Sequence, residues 1–241
     1  VTPFWVSAFL DLAPEAYDDG LAFWSGVTGA AVSATRGAAG ELVSLVPAEG
    51  DGHLRVQRLV AGRSRIHLDL HVDDPRAAAD RAVALGAREV ADVGHVVMAS
   101  PGGLPFCLVT HPAATPAAAV DWGGHSSAVD QVCVDVPHEL HDREVAFWQA
   151  LTGRVLAPSP GHAEFQRLHR PDGEPLHLLL QRLGEPLGEV RGHLDLATSD
   201  RAAETARHVA LGATEVATFD SWTVLTDPAG SAYCITDREP R

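Results

Sequence analysis

Apolar and polar residues alternate strictly through Arg65-Ile66-His67-Leu68-Asp69-Leu70-His71-Val72, and a closely related pattern returns in Arg191-Gly192-His193-Leu194-Asp195-Leu196-Ala197-Thr198. A period of two places His67, Asp69 and His71 on one face of a strand and Leu68, Leu70 and Val72 on the other. One side is expected to pack on a core, and the other to meet either bulk water or the wall of a cavity. Before this strand the pattern predicts a strand over Phe4–Leu12 and a helix from about Pro14 to Val27, with Pro in its first turn and Gly29 past its end. Tyr17, Leu21, Trp24 and Thr28 share one face of that helix at the 3.6-residue period. Three strands follow near 31–36, 41–47 and 53–60. After the central strand, Asp74-Pro75 starts a second helix that runs to about Leu85 and stops at Gly86. Three short strands near 88–91, 95–99 and 105–110 complete the pattern. Ser100-Pro101-Gly102-Gly103, before the last of them, suits a type I turn.

The same order of elements then repeats. Phe23-Trp24-Ser25-Gly26-Val27-Thr28-Gly29 matches Phe147-Trp148-Gln149-Ala150-Leu151-Thr152-Gly153 at an offset of 124, and His53–Leu59 matches His177–Leu183 at the same offset. The two His-Leu-Asp-Leu runs, and Leu85-Gly86-Ala87 against Leu211-Gly212-Ala213, lie at 126; Pro105-Phe106-Cys107 against Ala232-Tyr233-Cys234 lies at 127. A period this long is a duplicated domain rather than a solenoid repeat. The segment around 111–124 is rich in Pro, Ala and Gly and reads as a linker. The expected division is a first domain over 1–112, a linker over 113–124 and a second domain over 125–241.

Composition narrows the partners. With 241 residues, 46% of them hydrophobic, the chain can bury a substantial core. A formal net charge of −14 argues against nucleic acid and anionic membranes as partners. Three widely spaced cysteines, Cys107, Cys133 and Cys234, read as buried thiols in a reducing compartment. No charged-then-apolar leader opens the chain, and no apolar run nears the roughly 18 residues of a membrane helix. The expected address is therefore the cytoplasm; a small-molecule ligand is the expected partner, and a homodimer is allowed. Trp24 and Trp148 read as core residues on their helices.

A Phe-Trp…Thr-Gly helix end, a Leu-Gly-Ala helix end and an Asp-Pro-x-Gly turn (Asp227-Pro228-Ala229-Gly230, with Ser100 opening the first copy), in this order and repeated, resemble the vicinal oxygen chelate superfamily of glyoxalases, extradiol dioxygenases and bleomycin-resistance proteins. The resemblance covers nearly the whole chain and is nearest to tandem glyoxalase-like proteins. It implies an α+β fold of two tandem glyoxalase-like domains. Each would be built of two βαβββ modules forming a cupped mixed sheet around a cavity, and that favours the cavity wall for the polar face of His67 and His193. Metal-dependent members supply ligands from the first, fourth, fifth and eighth strands. In this chain those positions fall on Ser7 and Gln131, Gln57 and Gln181, His67 and His193, and Cys107 and Cys234. Only the histidines match the usual ligands well, since glutamine carbonyls are weak neutral donors.

The residues nevertheless make a polar inward face. His53, Arg55 and Gln57 alternate with Leu54 and Val56, His177 and Gln181 with Leu178 and Leu180, and Gln131, Cys133 and Asp135 with valines. With His71, these groups can orient an organic ligand by hydrogen bonds. His67 with Asp69, and His193 with Asp195, are candidate acid–base pairs, or simply polar neighbours that satisfy one another. The main expectation is a cavity that binds a small metabolite or drug without a metal, by sequestration or metal-independent conversion. The alternative is a divalent-metal lyase, isomerase or dioxygenase that uses Gln131, Gln181 and His193 with Cys234.

Overall fold

The computed structural model describes residues 2–159 and 161–240. The first repeat runs β1 (Trp5–Leu12), α1 (Tyr17–Thr28), β2 (Ala31–Val32), β3 (Leu42–Val46), β4 (Leu54–Arg58), β5 (Arg65–His71), α2 (Pro75–Ala84), β6 (Arg88–Asp92), β7 (Val96–Ala99) and β8 (Pro105–Val109). A two-residue strand, β9 (Val120–Asp121), lies inside the expected linker. The second repeat follows as β10 (Ser126–Val136), α3 (His141–Thr152), β11 (Leu156–Ser159), β12 (His162–Leu168), β13 (His177–Arg182), β14 (Arg191–Thr198), α4 (Arg201–Ala210), β15 (Thr214–Thr218), β16 (Trp222–Thr226) and β17 (Ala232–Thr236). The strand orders are β2-β3-β4-β1-β5-β8-β7-β6 and β11-β12-β13-β10-β14-β17-β16-β15, with β9 beside β10. Both sheets are mixed: β5 pairs with β8, and β14 with β17, in parallel, while the outer strands run antiparallel. The chain is α+β, two tandem repeats with sheets that do not close.

Local chemistry sets the boundaries. Asp74 and Asp200 accept from the backbone N–H groups of Ala77 and Ala203, the N-cap bond that opens α2 and α4. Gly29 and Gly153 adopt left-handed φ of 62° and 67° to close α1 and α3, a conformation that costs any side-chain-bearing residue. The first turn expected of α1 is instead a 3₁₀ turn over Pro14–Ala16. Its buried face is Tyr17, Gly20, Phe23, Trp24 and Val27, so Leu21 and Thr28 sit at its margin. The polar face of β5 is covered as well as the apolar one, with all residues from Ile66 to His71 buried, which excludes bulk water as its neighbour. No helix among the described residues is long and apolar enough to cross a membrane.

The repeats and the compact units of the structure divide the chain differently. One unit comprises Val1–Ala8, Ile66–Thr115 and Val132–Gly192; the other comprises Phe9–Arg65, Pro116–Gln131 and His193–Arg241. Each takes one βαβββ half from each repeat. In the first unit, Phe106 packs edge-on to Trp148 at 5.3 Å and Arg81 of α2 donates to the Ala150 and Leu151 carbonyls at the end of α3. In the second unit, Tyr233 packs against Trp24 at 5.3 Å and Arg207 of α4 donates to the Gly26 and Val27 carbonyls at the end of α1. A cation on orphan carbonyls satisfies them and favours the helix dipole.

The second unit adds a buried polar cluster. Glu204, fully buried, accepts two hydrogen bonds from Arg207 at 2.8 Å, one from His125 at 2.8 Å and one from His208 at 3.0 Å. The other His208 nitrogen accepts from the Tyr233 hydroxyl at 2.9 Å. Trp122 stacks on the Arg207 guanidinium at 3.7 Å. Burial lowers the His208 pKa below 6.5, more than Glu204 restores. Burial pushes Glu204 up, but Arg207, His208, Ser127 and His125 together hold it well below the usual carboxylate range. Both shifts have the same sign for stability: the unfolded chain takes up protons first. Stability is thus expected to fall as pH drops below about 6.5, where unfolded His208 protonates, and again below about 4.5 as unfolded Glu204 does. Calorimetric melts at pH 7.5 and 5.5 check this; equal midpoints would contradict it.

Candidate functional site

The parallel β14–β17 register sets Asp195 opposite Cys234, and His193 lies two residues before Asp195 on the same face. Their donors meet: the ligand atoms of His193, Asp195 and Cys234 all lie within 4.8 Å of one another. His193 Nε2 is 3.6 Å from the Cys234 sulfur and 3.3 Å from Asp195 Oδ1. From β10, Gln131 donates its amide N–H to Asp195 Oδ2 at 2.5 Å, and Arg238 reaches to 4.0 Å of the same oxygen. Arg238 is itself held by the Asp130 carboxylate. Burial pushes the Asp195 carboxyl up, but His193, Arg238 and Gln131 outweigh it and hold the pKa below the ordinary value, so Asp195 is ionised at neutral pH.

Gln131 Oε1 is buried without a hydrogen bond, and Asp195 Oδ1 has the His193 imidazole 3.3 Å away. Unsatisfied buried acceptors are costly, and a cation is one group that satisfies them. Beside an imidazole and a thiol, these groups fit a divalent ion.

The first repeat places the same trio together. Asp69 lies opposite Cys107 in the β5–β8 register, and the ligand atoms of His67, Asp69 and Cys107 also lie within 4.8 Å. His67 Nε2 is 3.7 Å from Asp69 Oδ1. The supporting residues differ. Ser7, which stands where Gln131 does, donates to His71 Nε2 at 2.9 Å, and His71 Nδ1–H donates to the His111 carbonyl at 2.7 Å. His71 is fully buried with both ring nitrogens engaged. The second repeat has Ala197 in its place, and Gln131 turns to Asp195 instead.

The other candidates lie apart from these trios in their bonding. His53 donates to the Val129 carbonyl at 2.9 Å, and the Arg55 guanidinium lies 5.9 Å from the Phe9 ring. Gln57 is half-buried on β4, in register with Leu42. Gln181 Oε1 lies 3.8 Å from the Cys133 sulfur in the first unit. His177 accepts from the Arg170 backbone N–H at 3.1 Å. Arg238 was not expected at the site. It comes from the segment after β17, where no periodicity points to it.

The profile of the glyoxalase-like domain family matches residues 8–109 and 131–236. The chain belongs to this family, within the vicinal oxygen chelate superfamily. Solved structures similar to it include a triple variant of 4-hydroxymandelate synthase from Streptomyces coelicolor, 18% identical, covering 98% of this chain and 93% of that one at a TM-score of 0.64. Another is the 2,2',3-trihydroxybiphenyl 1,2-dioxygenase of Sphingomonas wittichii, 17% identical over 98% of this chain and 90% of that one, TM-score 0.64. A third is the Mn(II)-bound glyoxalase of Novosphingobium aromaticivorans, 15% identical over 99% and 83%, TM-score 0.62. At these identities the likeness is one of fold. Compared by sequence, none of the curated proteins matches the chain.

Proposed function

We propose that the chain is a divalent-metal-dependent enzyme of the vicinal oxygen chelate type, a lyase, isomerase or dioxygenase acting on a small organic molecule at the second-repeat site. The observation that carries this reading is the convergence of His193, Asp195 and Cys234 beside the unpartnered oxygen of Gln131. Solved structures of similar fold that act on hydroxylated aromatics, or hold manganese, support it. When bound, the ion would supply Lewis-acid polarisation of substrate oxygens. His193 and Cys234 would hold it. Gln131 fixes the Asp195 carboxylate through Oδ2 and leaves Oδ1 directed at the site. His193, and behind it Arg238, hold that carboxylate ionised against its burial.

The test is metal content of protein purified without chelator, with and without His193→Ala. Wild type is expected to retain a divalent ion, and the variant to lose it and all metal-dependent turnover. Metal-free wild type that still binds an organic ligand would instead favour sequestration or conversion without a metal. The neutral glutamine at position 131 favours that second reading.

A further inference from the structure

We propose that the groove between α4 and the β15–β16 hairpin binds a small alkylguanidinium, with Glu215 as the carboxylate that grips its planar head. The groove holds about 610 Å³ and is lined only by residues of the second unit. That size falls within the roughly 300–1,000 Å³ of small-molecule sites. It lies on the other face of the sheet from His193 and Cys234. Tyr233 faces α4, since its hydroxyl donates to His208, so Cys234, the next residue of β17, faces away. The site is therefore separate from the metal-dependent one and does not rest on it.

The first repeat identifies the chemistry. There Arg76 of α2 occupies the matching place. Its guanidinium donates to both oxygens of Glu89, at 3.1 and 2.7 Å, and to Asp80 at 3.2 and 3.0 Å, with Asp92 3.9 Å away. The two helices align on their caps, Asp74 and Asp200. The two hairpins align on their registers: Glu89 pairs with Met98 and Asp92 with Val96, as Glu215 pairs with Leu225 and Thr218 with Thr223. Arg76, Asp80, Glu89 and Asp92 thus correspond to Ala202, Ala206, Glu215 and Thr218, and these four all line the groove. The second repeat has one carboxylate of a guanidinium seat, with alanine where the arginine stands and neutral residues for the two flanking acids.

Charge and hydrogen bonding define what fits. Arg201, the first residue of α4, is paired with Asp237 at 3.0 Å and donates to the Phe219 and Asp220 carbonyls. These two charges cancel, which leaves the groove with the negative charge of Glu215. The Thr218 hydroxyl donates to Glu215 at 2.7 Å and steadies the carboxylate, whose oxygens keep lone pairs for further donors. A guanidinium offers two parallel N–H groups to such a carboxylate; an ammonium is a point charge and makes no such match. Thr205, where the first repeat has Ala79, lines the groove with a hydroxyl that is buried and has no hydrogen-bond partner. A group of this kind is costly unless something pairs with it. Val209 and the two alanines give the groove an apolar wall for an alkyl chain.

The full chain, ¹⁵N-labelled, is titrated with n-butylguanidinium and separately with n-butylammonium at about 0.15 M salt, and the amide shifts are followed by NMR. Butylguanidinium is expected to bind with a Kd on the order of 1 mM, from burial of its butyl chain and one exposed ion pair. The shifts should be confined to α4 and the β15–β16 hairpin, and butylammonium should bind about tenfold more weakly. Glu215→Gln is expected to weaken binding about tenfold. Ala202→Arg with Thr218→Asp rebuilds the first-repeat arrangement and should abolish the shifts. Arg76→Ala should add a second set of shifts, on α2 and the β6–β7 hairpin. All of these positions are exposed, so the variants are expected to fold. Equal affinity for the two probes, shifts spread over the acidic surface, binding unchanged by Glu215→Gln, or no shifts at all overturns the proposal. An arginine-containing peptide that binds far more tightly than butylguanidinium overturns the small-molecule occupant in favour of a protein.

Discussion

Replacing Glu204 with alanine is expected to destabilise the chain by about 3–5 kcal/mol, the cost of removing one partner from a buried ionic cluster. The carboxylate is fully buried and accepts from Arg207, His125 and His208. Without it, the Arg207 charge is left with Trp122 and the carbonyls ending α1, and the buried His208 and part-buried His125 lose their acceptor. The equivalent positions of the first unit show how the cluster can be dispensed with. Ala78, Ala82 and Phe106 stand where Glu204, His208 and Tyr233 do, while Arg81 still closes α3. The triple change Glu204→Ala, His208→Ala and Tyr233→Phe therefore restores much of what Glu204→Ala loses. Urea melts of the two variants measure this. A loss below about 1 kcal/mol for Glu204→Ala would place the cluster at the level of a surface pair.

The second large effect concerns the tryptophans of the two matching helices. Each buried indole N–H donates to a carboxylate at 2.8 Å, but the acid comes from different places: Asp227 of the turn for Trp24, and Glu144 of α3 for Trp148. Where the turn has Asp227 the helix has Gly20, and where the helix has Glu144 the turn has Ser100. Glu144 also accepts from the Ser100 hydroxyl at 3.0 Å and the Gly102 amide at 2.5 Å. Asp227 instead accepts the Ser231 amide directly. Burial raises the pKa of both acids, so neither site has room for two charges. Glu144→Gly alone should cost about 3 kcal/mol or more, from unpaired buried donors and helical glycine. Ser100→Asp alone should also destabilise, by setting two buried carboxylates together. The double variant reproduces the Trp24 arrangement and should be more stable than the sum of the singles by about 1–3 kcal/mol. Additive losses in thermal melts would refute the exchange.

Most of the fold is legible in the sequence because its signals are local. The period of two in β5 and β14, the aspartate caps of α2 and α4, and the glycines that end α1 and α3 each act within a few residues. The two-residue strand β9 carries too little pattern to be seen, and β2 is shorter than the strand expected near 31–36. The core of the site is legible for the same reason: His193 and Asp195 share a face by alternation, and Cys234 sits at the matching point of the last strand. What alternation cannot supply is reach. That Gln131 turns to Asp195 depends on the loss of a His71 equivalent at Ala197, and Arg238 arrives from beyond the last strand. The family register marked Gln181 but not the Cys133 thiol whose hydrogen bond it accepts. Nothing local marks Glu204, Arg207 and His208 as a buried cluster, since charged residues are rarely buried unless paired and their partners lie far away in sequence.

The partition into units fixes an order of events during synthesis. The Trp24 indole finds its carboxylate at Asp227, 203 residues later. At about 5–20 residues per second on a ribosome, α1 therefore waits roughly 10–40 s for the strands that cover it. Through that interval Phe23 and Trp24 lie against no finished core. A nascent chain halted after the first repeat should therefore be a substrate for chaperones rather than a folded domain.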